Sequence, residues 1–133
     1  MGPVLRILVV DDDALITHTL AGALADACEA QVWSAGSGEE GARLAALHRP
    51  DLILMDLDMP GVDGRDVCRD LRRQEALSAT TIWILTGLTR ESPLVQEAAT
   101  LADRVLQKPV SLQELIAAIQ ETITPRGPRL QWA

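Results

Sequence analysis

Tyrosine and phenylalanine are both absent from the 133 residues, and three tryptophans are the only aromatic side chains. A protein that binds single-stranded nucleic acid usually stacks the bases on several aromatic rings, so this composition argues against such a platform. Positive charge is also scarce, because 12 basic residues face 19 acidic ones and the net charge is −7. An acidic chain is repelled by phosphate backbones and anionic lipids. We therefore expect no direct binding to nucleic acid.

Cysteines and long apolar runs are scarce as well. Cys28 and Cys68 are too few and too scattered to form a disulfide or metal framework. No apolar stretch approaches the length of a membrane span. The charged Arg6 is followed by only four apolar residues before the acidic residues begin, which is unlike a signal peptide. These features predict a cytoplasmic protein with no membrane insertion.

Strand and helix signals alternate five times along the chain. The first, third and fourth strand signals are continuous apolar runs, which are typical of parallel strands buried on both faces. Right-handed crossover helices would then join the strands into an open sheet with helices on both sides. We predict an α/β, doubly wound fold with a parallel sheet in the order 2-1-3-4-5. The predicted strands span residues 4–10, 30–33, 51–55, 81–85 and 104–107, and the helices begin near residues 14, 37, 64, 93 and 111.

We expect one domain over residues 1–123. The remaining residues, 124–133, hold two prolines, a glycine and two arginines, and this composition suggests a tail or the start of a linker.

Polar side chains follow four of the predicted strands. Asp11 and Asp12 come after the first strand, and Asp56 comes directly after the third. Thr86 follows the fourth strand, and Lys108, the only lysine of the chain, follows the fifth. Because parallel strands end at the same edge of a sheet, where such folds bind their ligands, we expect these residues to converge.

The converging groups have a definite chemistry. Three carboxylates and one ammonium sum to a local charge of −2, and each like pair at ~5 Å costs about 3 kcal/mol at an effective dielectric of ~20. Oxygen ligands of this kind suit Mg²⁺. An aspartate in this setting is also a nucleophile toward phosphorus. The sequence therefore indicates a phosphoryl-transfer site centred on Asp56.

These motifs together resemble the response-regulator receiver domain of two-component signalling, in its stand-alone, chemotaxis-receiver-like form. The residues that carry the resemblance are 9–13, 54–64, 85–87 and 108–109, and the likeness extends over residues 4–122. It implies a (βα)5 flavodoxin-like three-layer sandwich. It also implies a signalling switch that catalyses only its own Mg²⁺-dependent phosphorylation and dephosphorylation.

The resemblance implies roles for the acidic residues. Asp56 would accept a phosphoryl group from the phosphohistidine of a sensor histidine kinase or a phosphotransfer protein. Asp12 and Asp56 would bind Mg²⁺, or Mn²⁺ in its place, directly, and Asp11 would act nearby or through water. The backbone carbonyl of Asp58 would be a further metal ligand.

The resemblance also implies how the phosphoryl group is held and sensed. Lys108 would pair with its oxygens, and the backbone amides of Leu57 and Gly87 would bind them. Thr86 would move to form a hydrogen bond with the phosphoryl group. This movement would couple the site to residues 87–90 and to the face formed by the fourth helix, the fifth strand and the fifth helix. A shift of that face would signal to a downstream protein, and family members can also dimerise through it.

Four residues around the fifth strand depart from the family pattern. Val105 stands where the family usually has Tyr or Phe, which excludes an aromatic rotamer switch in its usual form. Leu101 and Ala102 replace a common Gly-Ala pair, and Val110 replaces a common Phe. We therefore expect the output face to respond through backbone and helix shifts.

Rival interpretations remain for the same residues. Asp56 and Asp58 match the nucleophile and acid of haloacid-dehalogenase phosphatases, but Met59 and Pro60 follow here in place of the usual Gly-Thr. A pseudo-receiver would have the fold without phosphorylation, and the complete acid set argues against it. A truncated transcription factor would need a DNA-binding domain that this sequence lacks.

Two helices carry further expectations about packing. In the first helix, Leu15, Leu20 and Leu24 are core candidates. The third helix is rich in arginine, and we expect its basic residues to form a solvated face, with docking of a partner as the alternative; they are Arg65, Arg69, Arg72 and Arg73.

Overall fold

The computed structural model of the chain describes residues 3–60 and 63–125. Most of the expected tail, and the two residues after Pro60, lie outside these ranges. Strands and helices alternate along the described residues, with a short 3₁₀ helix at Glu75–Leu77 that the sequence did not predict. The strands are β1 (Arg6–Val10), β2 (Gln31–Ala35), β3 (Leu52–Asp56), β4 (Thr81–Thr86) and β5 (Arg104–Gln107). The helices are α1 (Ala14–Ala27), α2 (Gly38–His48), α3 (Gly64–Arg73), α4 (Pro93–Leu101) and α5 (Leu112–Thr122).

The five strands form one parallel sheet in the order β2-β1-β3-β4-β5. This confirms the predicted doubly wound α/β fold and its strand order. The central strands β1, β3 and β4 are the continuous apolar runs, and every residue of β3 is buried. Their burial on both faces explains why the sequence does not alternate between polar and apolar there.

Two hydrophobic cores lie on opposite faces of the sheet. One contains residues of α2, α3 and α4 packed against the sheet, with Leu71 and Ile84 among its fully buried members. The other contains residues of α1 and α5, with Leu24 and Ile119 fully buried. The sheet is therefore the middle of three layers, and its carboxyl edge remains available for polar groups.

The helix starts follow from capping side chains. The Asp13 carboxylate accepts hydrogen bonds from the amides of Leu15 and Ile16 at the start of α1. The hydroxyls of Ser37 and Ser111 each accept one from the amide three residues on. These capping contacts satisfy backbone amides of the first turn and agree with the predicted starts of α1, α2 and α5.

The prediction of the core residues of α1 is only partly correct. Leu24 is fully buried and Leu20 is half-buried, but Leu15 is 76% exposed. Leu15 and Leu24 are nine residues apart, which at 3.6 residues per turn places them on opposite sides of the helix. Thr17, not Leu15, is the second buried residue of α1. Leu15 and its half-exposed neighbour Ile16 form an apolar surface beside the carboxyl edge of β1.

The basic residues of α3 do not form the solvated face that the sequence suggested. Arg65 and Arg69 both donate to the carboxylate of Glu97 on α4, at 2.8 and 2.6 Å. Arg65 also makes a bidentate contact with Asp63, the N-cap of α3. Glu97 therefore joins two arginines of the neighbouring helix, and of the four arginines only Arg73 is largely exposed.

Arg72 makes a further link between α3 and the end of α4. Its guanidinium donates to the backbone carbonyls of Leu101 and Thr80, at 2.9 and 2.8 Å, and to the Asp103 carboxylate at 2.7 Å. Asp103 in turn accepts from the Ile82 amide in β4. The guanidinium thus donates to a carbonyl of the last turn of α4, where the backbone carbonyls have no hydrogen-bond donor within the helix.

Two strands extend one residue beyond their predicted ends. β3 includes Asp56, which pairs in register with Leu85, and β4 includes Thr86, which pairs with Gln107. Both polar residues therefore have backbones fixed by the sheet, which positions their side chains more rigidly than a loop would. Among the described residues, we find no helix of the length and hydrophobicity needed to cross a bilayer.

Candidate functional site

Asp56 lies at the centre of the carboxyl edge. It is the last residue of β3 and is only 6% exposed. Its Oδ1 atom accepts a hydrogen bond from the Lys108 ammonium at 2.9 Å and another from the Asp58 backbone amide at 2.9 Å. The pairing compensates a carboxylate that would otherwise be costly to bury.

Three carboxylates meet at this edge, as the sequence predicted. Asp11, Asp12 and Asp56 each offer an oxygen, and the three oxygens lie within 4.8 Å of one another. Asp11 is buried, whereas Asp12 is exposed. Burial raises the pKa of Asp11 to about 6, the Asp13 amide bond opposes this rise, and the charge of Asp56 adds to it. The folded protein therefore holds a carboxyl group that is reluctant to ionise.

The donor set fits a hard divalent cation. It consists of carboxylate oxygens alone, and Mg²⁺ prefers such ligands at a site that is partly open to water. The exposed Asp12 leaves one side of the cluster in contact with solvent. A cation here would favour the ionised form of Asp11 and so reverse the shift that burial imposes.

Lys108 follows β5 and joins the cluster from the opposite side. Its ammonium lies 2.9 Å from Asp56 Oδ1 and 3.6 Å from Asp58 Oδ2. Partial burial lowers the pKa of Lys108, but the hydrogen bond and charge of Asp56, with the charges of Asp58 and Asp11, outweigh this and leave the pKa raised. The side chain therefore remains a positive charge at neutral pH.

Thr86 and Gly87 bind the side chain of Asp58. The Thr86 hydroxyl donates to Asp58 Oδ1 at 2.7 Å, and the Gly87 amide donates to Asp58 Oδ2 at 2.7 Å. Burial would raise the pKa of Asp58, but these two hydrogen bonds and the nearby Lys108 charge outweigh burial and lower it. The sequence had pointed to the backbone carbonyl of this residue as a metal ligand, and to its side chain only in the rival phosphatase interpretation. The signal in the sequence that could have indicated a role for this side chain is its position, two residues after a strand-terminal aspartate.

The Leu57 amide, predicted to bind a phosphoryl group, has a different partner. It donates to the Leu85 carbonyl at 2.9 Å and so continues the pairing of β3 with β4. The amide that faces the Asp56 carboxylate is that of Asp58. The register of the two strands explains the difference, because Asp56 pairs with Leu85 and the next amide points back into the sheet.

A cleft lies where the family pattern expects an aromatic side chain. It has a volume of about 370 Å³ and lies between α4 and β5. Val105 contributes to its wall, together with Val95, Ala99 and Ala102. The small side chain of Val105 leaves this space between α4 and β5 open.

Comparisons with known proteins agree with this geometry. The family model described as the response regulator receiver domain matches residues 7–120. The dual master transcriptional regulator RpaA of Synechocystis is 36% identical over 93% of this chain and 52% of its own length. The transcriptional regulatory protein PdtaR of Mycobacterium tuberculosis is 34% identical over 90% of this chain and 57% of its own length. The chain therefore spans about half the length of the curated relatives it matches.

Solved structures give the same result. The chemotaxis response regulator CheY4 of Vibrio cholerae matches with a TM-score of 0.78 and 31% identity, over 89% of this chain and 98% of that one. The receiver domain of Bermanella marisrubri matches with a TM-score of 0.76 and 31% identity, over 87% of this chain and 95% of that one. The chain belongs to the response regulator receiver domain family. It is thus a signalling domain of two-component systems and not a classical enzyme.

Proposed function

We propose that the chain is a phosphorylation-dependent cytoplasmic switch in which Asp56 accepts a phosphoryl group from a phosphohistidine. The donor would be a sensor histidine kinase or a phosphotransfer protein. The observation that carries the proposal is the setting of Asp56, a buried strand-terminal carboxylate with an ammonium at 2.9 Å and two carboxylates nearby. A carboxylate oxygen of Asp56 attacks phosphorus, the new P–O bond replaces the P–N bond, and the imidazole leaves with the electron pair and takes a proton from solvent.

The acidic cluster would hold Mg²⁺, or Mn²⁺ in its place. Asp12 and Asp56 are the direct carboxylate ligands in this proposal, and the backbone carbonyl of Asp58 is a third protein ligand. Asp11 acts beside them or through water. When bound, the cation neutralises the charge that builds up on the phosphoryl oxygens, which is the main need of phosphoryl transfer.

The remaining polar groups would hold the phosphoryl group. Lys108 pairs with its oxygens, because the ammonium already touches the acceptor carboxylate. The Thr86 hydroxyl and the Gly87 amide are further donors at the same edge. In this proposal the Asp58 amide, and not the Leu57 amide, binds a phosphoryl oxygen, because the Asp58 amide already faces the Asp56 carboxylate.

The output would pass through the surface formed by α4, β5 and α5. The Thr86 hydroxyl accepts from the Leu88 amide at 3.1 Å, so a movement of Thr86 reaches the loop before α4 directly. Val105 cannot act as an aromatic switch, and we propose that the surface responds by shifts of backbone and helix. A downstream protein or a second copy of the chain would recognise the change. Amide chemical shifts with and without a phosphoryl mimic test this, and changes confined to the pocket would contradict it.

The acceptor is tested by intact mass after incubation with phosphoramidate, a small donor with a P–N bond. We expect wild type to gain one phosphoryl group in the presence of Mg²⁺ and to gain none with EDTA. Asp56→Asn should gain none in either condition. Asp63→Asn is the matched control, because Asp63 lies in the same connection and asparagine is an equally good helix cap.

The outcomes separate the rival functions. No gain in wild type, with the fold intact by circular dichroism, would favour the pseudo-receiver. Steady release of phosphate from a generic phosphomonoester would favour the dehalogenase-type phosphatase.

A further inference from the structure

A groove lies at the amino edge of the sheet, at the opposite end of the strands from Asp56. It has a volume of about 670 Å³ and lies between the residues that precede β1 and the ends of α1 and α5. Val4, Leu5 and Ile123 give it an apolar wall. Val4 is 50% exposed, so this wall is only partly covered by the described residues. The size is typical of a site that binds a ligand or a short peptide.

Glu29 stands at the groove in a backbone conformation that glycine usually adopts. It follows Cys28, the C-cap of α1, and has a φ of 51°. Glycine is common at this position after a helix, because a side chain makes the left-handed conformation unfavourable. Glu29 also carries the one charged side chain among the described residues that line the groove. A strained backbone that places a carboxylate beside a cavity points to a role for that carboxylate.

The chain after α5 continues from the wall of the same groove, because Pro125 contributes to that wall. Residues 126–133 read Arg-Gly-Pro-Arg-Leu-Gln-Trp-Ala, with two basic and two large apolar side chains. The Gly-Pro pair at 127–128 is typical of a turn, which would direct the following residues back towards the groove. Trp132 follows Pro125 by seven residues, a reach of about 23 Å. The segment thus matches the groove in charge, in polarity and in position.

We propose that residues 126–133 pack into this groove as an intramolecular strap. The Trp132 side chain covers the apolar wall, and Arg129 pairs with Glu29. The strap ties the end of α1 to the end of α5, at the edge of the sheet remote from Asp56. The covalent tether selects this occupant over a free peptide, because a short linker gives the segment an effective concentration of about a millimolar.

The first test measures the accessibility of Cys28, which lines the groove and is half-buried. Alkylation of the full chain under native conditions should modify this thiol slowly while the strap covers it. Trp132→Ala should raise the rate about tenfold, because the strap loses its largest apolar contact. Gln131→Ala, in the same segment, is the matched control and should stay within about twofold of wild type. Cys68 is fully buried, and its modification would reveal any opening of the fold.

The second test separates the charge of Glu29 from its backbone conformation. Glu29→Gly relieves the strained conformation and should raise the Tm, but loss of the ion pair should raise the Cys28 alkylation rate about threefold. Glu29→Gln should raise the rate equally without the gain in Tm. High salt should reproduce the faster alkylation in wild type. If Glu29 only ended the helix, Glu29→Gly would leave the alkylation rate unchanged or lower it, and the ion pair would be refuted.

The third test observes Trp132 directly by fluorine NMR of the full chain labelled with 5-fluorotryptophan. The signal of Trp132 is identified by its loss in Trp132→Leu. A buried indole is shielded from water, so we expect this signal to shift little when H₂O is replaced by D₂O. A shift equal to that of free 5-fluorotryptophan would overturn the proposal.

Two further outcomes would also overturn it. Equal alkylation of Cys28 in wild type and Trp132→Ala would mean that Trp132 packs somewhere other than the groove. Protection of Cys28 that increases with protein concentration would place a second copy of the chain in the groove, whereas a strap within one chain protects equally at all concentrations. None of these measurements involves phosphorylation of Asp56, so the strap and the proposed function are tested separately.

Discussion

Replacement of Asp11 by asparagine should stabilise the metal-free protein at neutral pH. Asp11 is buried beside the Asp56 carboxylate, and this setting raises its pKa to about 6. An ionised Asp11 is therefore unfavourable in the folded state. Asparagine removes the charge and keeps an oxygen that can accept the hydrogen bond from the Asp13 amide.

The magnitude follows from the shift of the pKa. The rise from 3.8 to about 6 is roughly two units, which corresponds to at most about 3 kcal/mol at 1.36 kcal/mol per unit. Solvent at the open side of the cluster screens part of this, so we expect a gain of about 1 to 2 kcal/mol in the free energy of unfolding. A gain of this size is a large share of the stability of a small domain.

The stability difference between Asp11→Asn and wild type should depend on pH in a definite direction. Because the folded-state pKa is raised, Asp11 binds its proton more tightly in the folded protein, and this favours folding only at low pH. As the pH rises from about 4 through about 6, the carboxyl ionises first in the unfolded chain, and the folded wild type loses stability relative to the variant. The advantage of Asp11→Asn should therefore be small near pH 4 and complete near pH 7.5.

Urea unfolding in EDTA, at several pH values, measures the effect. Added Mg²⁺ should stabilise wild type more than the variant, because only wild type retains the full acidic cluster. Asp12→Asn is the matched control, since it removes an exposed carboxylate from the same cluster and should change the stability by less than about 0.5 kcal/mol. An Asp11→Asn protein that is no more stable than wild type at pH 7.5, or equally stabilised at all pH values, would refute the reasoning.

Substitutions at Gly41, Arg72 and Asp51, measured by chemical denaturation, test packing and hydrogen bonds elsewhere in the fold. Gly41→Ala should destabilise the protein by about 1 to 3 kcal/mol, because its new Cβ would lie 2.9 Å from Val10 Cγ2. Gly22→Ala is the control, because its new Cβ would meet nothing within 4 Å, and it should stabilise the protein by about 0.5 to 1 kcal/mol. Equal effects of the two substitutions would contradict the packing argument. Arg72→Ala should cost about 2 kcal/mol, because two carbonyls lose a charged donor, and full retention of stability would show that water replaces it. Asp51→Ala should cost about 1 to 3 kcal/mol, because the amide that opens β1 loses its carboxylate acceptor, while Asp51→Asn should recover part of the loss.

The sequence predicted the site because the main signals lie at the ends of strands. Asp56, Thr86 and Lys108 are far apart along the chain, but each follows an apolar run, and parallel strands bring such ends together. The strand order and the helix starts followed from equally local patterns. These predictions needed only hydrophobic periodicity and turn chemistry.

Contacts between side chains of different elements could not be predicted in the same way. The pairing of Asp58 with Thr86 and Gly87 depends on how far β3 and β4 extend, which differed by one residue from the prediction. The bonds of Arg65 and Arg69 to Glu97 depend on the distance between two helices, and a charge pattern within α3 does not reveal it.

The two flanks of α4 make different contacts with the rest of the fold. On one flank, Glu97 bonds two arginines of α3, and the last turn of α4 is bonded by Arg72. On the other flank, the cleft beside Val105 separates the helix from β5. A displacement of α4 that kept its hydrogen bonds to the arginines of α3 would move α3 as well. The same displacement would widen or narrow the cleft between α4 and β5. If the output surface shifts as proposed, α3 and α4 would move as a pair, and a partner bound to α3 would sense phosphorylation without touching α5.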